Sequence, residues 1–141
     1  IDDYMELAAV SELNMHFVNS HFMHPDDLLD KDRGAALGWE KLRARLDEYM
    51  TWMNESAPSL RNLTGSELAG AVQRYGALTV DKEITDQEIR IHLGNFYDEA
   101  YLMVRINDGT PGQVTGGELT NVTGNLYLLH AQEREVVIER N

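Results

Sequence analysis

The apolar residues of this chain change their spacing once, near residue 77, and the two spacings demand different folds. Before that point the period is helical. Trp39, Leu42, Leu46, Tyr49, Met50 and Met53 recur at three, four and seven, lining one face of a helix over about 38–55 that stops before Pro58. Thr64 and Glu67 spell a capping box for a further helix, with Leu68, Ala71, Val72 and Tyr75 as its stripe and Gly76 where a C-terminal cap belongs. Asp2 or Asp3 caps a first helix running to about Leu13, whose stripe is Tyr4, Leu7, Ala8 and Val10. The apolar-rich segment 14–24 is too short for another helix before Pro25 and reads as a strand.

From Leu78 onward the period is two. Segments 79–82, 88–93, 100–106, 126–131 and 135–140 alternate or carry β-formers, and turn clusters at 107–112 and 115–117 separate them. Five or six strands with short connections and no crossover helix predict a small antiparallel β-sandwich, its core holding Ile91, Leu93, Tyr101, Met103, Leu126, Leu128 and Val137. The expected class is therefore α+β, with 1–76 as a helical part and 77–141 as the β-sandwich.

Charge narrows the partners. Against 24 Asp plus Glu there are 12 Lys plus Arg, a formal net charge of −12, and the basic residues form no run. Phosphate neutralisation by Lys and Arg is what holds a nucleic acid, so nucleic acid is not an expected partner, and an anionic membrane surface is disfavoured for the same reason. Membrane insertion is not expected either, since no apolar run approaches the ~20 residues of a span. With no cysteine, disulfides and thiolate chemistry are excluded, while a reducing cytosol and a periplasm both remain open. The opening Ile1-Asp2-Asp3 has neither an initiator Met nor the texture of a signal peptide, so the chain reads as a piece or mature product of something longer.

One segment is dense in chemistry. Ser20, His21, His24, Asp26 and Asp27 place a hydroxyl, two imidazoles and two carboxylates within eight residues at the end of the expected strand. The carboxyl ends of strands are where α/β folds assemble sites. Capping offers a plainer account of Asp26 and Asp27, which after Pro25 can open a helical turn through Leu28 and Leu29. A metal site of His21, His24 and an Asp meets a difficulty of spacing, because residues three apart in a strand face opposite ways. The preferred reading is one imidazole acting as general acid or base, for which its pKa near neutrality suits it. His92 and His130 fall among the strands without clustered partners.

The string 20–30, followed by Arg33, Trp39, the block 60–64, the block 96–105, Gly116-Gly117 and 126–129, resembles the C-terminal part of the bacterial Pel exopolysaccharide deacetylase family. Such proteins are similar to NodB-type polysaccharide deacetylases, and the resemblance implies a deformed (β/α) barrel, of which 1–76 would be the closing helices and one strand. It also implies removal of N-acetyl groups from an acetylated amino-sugar polysaccharide with a divalent metal, zinc above all, in the periplasm or cell envelope. The family's metal ligands, an Asp and a His-x-x-x-His pair, have no counterpart here, because no two histidines are four apart. They are expected in the remainder of the parent chain, and this segment alone is expected to hold no metal. The family's late motif, an apolar residue, one intervening residue and a general-acid His, is matched by Phe22-Met23-His24 and not by His21. His24 is thereby the implied proton donor to the leaving amine, with His21 beside it, and Phe22, Met23 and Asp26 are candidate substrate contacts. Packing in a core accounts for Phe22 and Met23 equally.

Two other readings compete. Aromatic side chains exposed on a β face would make the sandwich a non-catalytic carbohydrate-binding or assembly module, although Phe96, Tyr97, Tyr101 and Tyr127 fit core alternation as well. A self-contained metallohydrolase would use His21, His24 and Asp26.

Overall fold

The computed structural model describes residues 2–16, 18, 19 and 24–141, which form two compact units, 1–58 and 59–141. In the first unit, helix α1 covers Asp3–His16, and the Asp2 carboxylate accepts the Met5 N–H at 2.9 Å, the expected N-terminal cap. Among the described side chains of α1, Ala9 is buried, whereas Leu7 and Val10 of the expected stripe are exposed. Because α1 runs on to His16, the strand expected over 14–24 does not form in its described residues: 14–16 are helical, and Val18, Asn19 and His24 belong to no strand. Asn14, Met15 and His16 include no β-branched residue and only one apolar one, so nothing local demands a strand there, and extending an existing helix needs no new nucleus.

A 3-10 turn, Pro25–Leu28, leads towards α2, Trp39–Ser56. Tyr49 and Met53 are buried on α2, and the Tyr49 hydroxyl donates to the Asn19 side chain at 2.9 Å. Ala57 ends the helix just before Pro58, as the restricted residue preceding a proline should.

The second unit begins with α3, Gly65–Ala77, and the Thr64/Glu67 capping box closes as expected: the Thr64 N–H donates to Glu67 Oε2 at 2.7 Å, and the Glu67 N–H donates to the Thr64 hydroxyl. Gly76 lies inside the helix and extended Leu78 forms the cap, its N–H bonded to the Arg74 carbonyl. Seven strands follow: β1 Thr79–Ile84, β2 Glu88–Gly94, β3 Ala100–Arg105, β4 Pro111–Thr115, β5 Gly117–Thr123, β6 Leu126–Ala131 and β7 Glu135–Arg140. All paired strands are antiparallel, in two sheets ordered β1-β2-β7-β4 and β3-β6-β5. The chain is thus α+β, its described residues comprising helices and two antiparallel sheets.

Strands β4 and β5 overlap the expected turn clusters at 107–112 and 115–117 only at their ends and otherwise fall in stretches where the sequence predicts no strand. Their glycines, threonines and proline mask a strand pair that changes sheet at Gly116, a residue with φ +80° whose Cβ would collide with the Glu135 carbonyl. Both sheets feed one core: Ile89, Ile91, Leu93, Val136 and Ile138 from the four-stranded sheet, Ala100, Leu129 and Ala131 from the three-stranded one, and Ile106 just beyond β3. Ile91 and Leu93 sit where alternation predicts, but elsewhere the inward face is the other one. Val136 and Ile138 are buried in place of Val137, Leu129 in place of Leu126 and Leu128, and Met103 is 52% exposed. Strands β3 and β6 are apolar on both faces, so alternation has nothing to choose by; in β7, Glu135 and Glu139 flank Val137 on one face, and Val136 and Ile138 on the other are the pair that alternation favours.

Candidate binding cleft

The residues singled out in the sequence meet unequal fates. His21, Phe22 and Met23 lie outside the described residues. His24 and Asp26 are brought together, with His24 Nδ1 3.7 Å from Asp26 Oδ1 and both side chains largely exposed. Asp27 has structural work: it accepts the His24 backbone N–H at 3.4 Å and is hydrogen-bonded by the Arg33 guanidinium, which holds its carboxyl below the usual range. Among the described residues, no group of three or more His, Asp or Glu side chains could hold a metal ion, and no helix is long and apolar enough to cross a membrane.

The densest polar constellation of the second unit is built on the outward face of β3 and β6. Tyr101 pairs directly with His130 across the two strands, on the face opposite the buried Leu129. Their rings stack at 4.4 Å and 5°. Over Tyr101 lies the Arg61 guanidinium, its Cζ 3.8 Å from the ring centroid. Two flat groups that close to one centroid do not fit side by side on one face, so Tyr101 is sandwiched between a cation and an imidazole. Glu99, two residues earlier and therefore on the same face, ties the stack to α3. Its Oε1 accepts from Arg74 Nη2 at 3.0 Å and lies 3.7 Å from Arg61 Nη1, while its Oε2 receives the His130 Nε2–H at 3.1 Å. All four charged or titratable side chains are about a quarter to a third exposed.

Arg61, Glu99 and Tyr101 of this constellation line an open cleft of about 100 Å³, to whose lining His130 does not contribute. Ala71, Arg74 and Tyr75 of α3 and Leu78 contribute from one side, and Asn95, Tyr97 and the start of β3 from the other. At the rim, Tyr75 and Tyr97 are 83% and 75% exposed, an arrangement that leaves ring surface to solvent beside the guanidinium pair. Positive φ at Asn95 and Asp98 bends the backbone on either side of Tyr97, and the Asn95 amide donates to the Ala77 carbonyl at 3.1 Å, fastening this loop to the end of α3.

Sequence reading missed the cleft because Arg61, Arg74, Glu99 and His130 are spread over seventy residues and converge only through the pairing of β3 with β6 and the packing of α3 and the segment before it. His130, far from lacking clustered partners, has Glu99 and Tyr101; His92 pairs with Glu135 across β2 and β7. Tyr97 is a rim residue, while Phe96 and Tyr127 pack against the core. A usable signal was Glu99-x-Tyr101 in β3 opposite His130 in β6, legible once the register is known.

The fold and cleft define an α+β protein in which a two-sheet unit carries an aromatic, arginine-lined surface site. Residues 1–128 match the bacterial family described as "Uncharacterised protein conserved in bacteria (DUF2194)", and the chain belongs to that family. No curated protein and no solved structure matches it.

Proposed function

We propose that the chain serves a metal-dependent deacetylase of an acetylated amino-sugar exopolysaccharide in the periplasm or cell envelope, and that its strand unit, 59–141, binds the polymer rather than cleaving it. The deacetylase reading rests on the sequence resemblance described above. The binding role is carried by one observation: an open cleft whose rim presents two highly exposed tyrosines beside two arginines and a glutamate. Sugar rings offer apolar C–H faces and a fringe of hydroxyls, and such ligands are met by aromatic faces with a few polar groups fixed in orientation. Tyr101, covered on both faces, contributes rigidity, and stacking falls to Tyr75 and Tyr97. In this reading the described residues supply no metal ligand set, and the metal belongs to the remainder of the parent chain. His24 is this chain's contribution to chemistry: a half-exposed imidazole beside Asp26, suited to protonating the departing amine.

Titration of the 141-residue chain with N-acetylglucosamine oligomers, followed by amide and tyrosine chemical shifts, tests the binding role. Shifts should concentrate at Tyr75, Tyr97 and Glu99, and Tyr75→Ala with Tyr97→Ala should abolish them while the fold persists, since both rings are exposed. Absence of binding to any saccharide, or binding unaffected by the double variant, overturns it.

A further inference from the structure

The cleft also carries a charge preference at odds with the chain as a whole. Its lining holds two guanidiniums, Arg61 and Arg74, and one carboxylate, Glu99, on a protein whose formal charge is −12. Glu99 cannot neutralise both. Its Oε1 is hydrogen-bonded by Arg74 at 3.0 Å, but Arg61 stands at 3.7 Å, beyond hydrogen-bond reach, and is held in place by the Tyr101 ring. Each guanidinium has five N–H donors in a planar fork, and a single contact to one oxygen leaves most of that fork available. Stacking on Tyr101 below and pairing with Glu99 at one edge keep the two forks from folding away, which is preorganisation for a planar anion.

Resting on the carbohydrate-binding reading above, we infer that the cleft recognises an acidic sugar, a residue bearing a carboxylate, with the carboxylate on Arg61 and Arg74 and the ring face against Tyr97. A protonated amino sugar is repelled at this position even though the protein's overall charge attracts it. Local and global electrostatics therefore give opposite orders of affinity, and the order observed decides between them.

The experiment compares three oligosaccharides of equal length on the intact 141-residue chain by calorimetry: a galacturonate oligomer, an N-acetylglucosamine oligomer and a glucosamine oligomer. The expected order is galacturonate first, N-acetylglucosamine weaker by roughly ten- to a hundredfold, as befits the loss of charge-assisted hydrogen bonds, and glucosamine weakest. Arg74→Gln should remove most of the preference for galacturonate over the neutral oligomer, and added salt should compress the difference. Equal affinity for the acidic and neutral oligomers overturns the acidic-sugar assignment and leaves the carbohydrate reading standing. Acetate binding as tightly as galacturonate also overturns it, since the site would then read a bare carboxylate. Failure of all three oligomers overturns both readings. Should Arg74→Gln prove unfolded by circular dichroism, the ranking on the unaltered chain still decides.

Discussion

Which face of the three-stranded sheet is buried determines whether the cleft exists, and a pair of truncations measures it. Leu129 on β6 has no exposed surface, and Met103 on the neighbouring strand β3 is 52% exposed on the opposite face. Leu129→Ala removes three carbons from a site that both sheets enclose. At about 0.8 kcal/mol per buried methylene the lost transfer free energy is about 2 kcal/mol, and the cavity left between two hydrogen-bonded sheets, which cannot collapse freely, raises the cost towards the ~2–5 kcal/mol of such core truncations. Met103→Ala gives up a side chain already half in water, next to Leu128, and should cost below ~1 kcal/mol. For a unit of this size each kcal/mol moves the melting midpoint by about 4–8 °C, so the first variant should melt at least about 10 °C lower and the second within a few degrees of the parent. Both tryptophans, Trp39 and Trp52, lie in the first unit, so strand unfolding is best followed by far-ultraviolet circular dichroism or methyl resonances. A Met103→Ala loss equal to that of Leu129→Ala would refute the face assignment, and with it the outward placing of Glu99, Tyr101 and His130.

Four further outcomes follow from other parts of the chain. Thr64→Ala should cost about 1 kcal/mol by unmaking the α3 capping box, measurable by urea unfolding. Hydrogen bonds from the Thr64 backbone and then its hydroxyl hold the Glu67 carboxyl below its ordinary value; a depressed folded-state pKa contributes stability present above the unfolded value near about 4.3 and lost as pH falls through the folded one, so the advantage of Glu67 over Glu67→Gln should vanish on acidification. Under the proposed deacetylase reading, His24→Ala in a longer parent enzyme should lower deacetylation turnover by roughly 10²–10⁴ with metal content unchanged, and His21→Ala should do less; a fully active His24→Ala enzyme removes His24 from the chemistry. The 141-residue chain alone should neither take up zinc at submicromolar concentration nor release acetate from an acetylated oligomer, whereas tight zinc binding lost in His21→Ala would favour the site of His21, His24 and Asp26.

Local chemistry alone determined much of this protein. The Thr64/Glu67 box, the stop of α2 before Pro58, the Asp2 cap of α1 and the switch to period two at Leu78 each follow from residues a few positions apart, and each appears in the fold. Asp27 likewise serves as a cap, one of the two roles its position after Pro25 allows. What tertiary structure decided are the choices for which local pattern is degenerate. Asn14, Met15 and His16 favour neither helix nor strand strongly, and α1 absorbs them. Strands β3 and β6 are apolar on both faces, so only packing of one sheet against the other selects Leu129 for the interior, whereas in β7 the glutamates on either side of Val137 already mark Val136 and Ile138 as the inward pair. That selection turns Tyr101, His130 and Glu99 outward, where strand register sets His130 against Tyr101 and α3 brings Arg74 to Glu99. A site assembled from four distant segments leaves no mark in any one of them, because its geometry is a property of pairing and burial rather than of spacing along the chain.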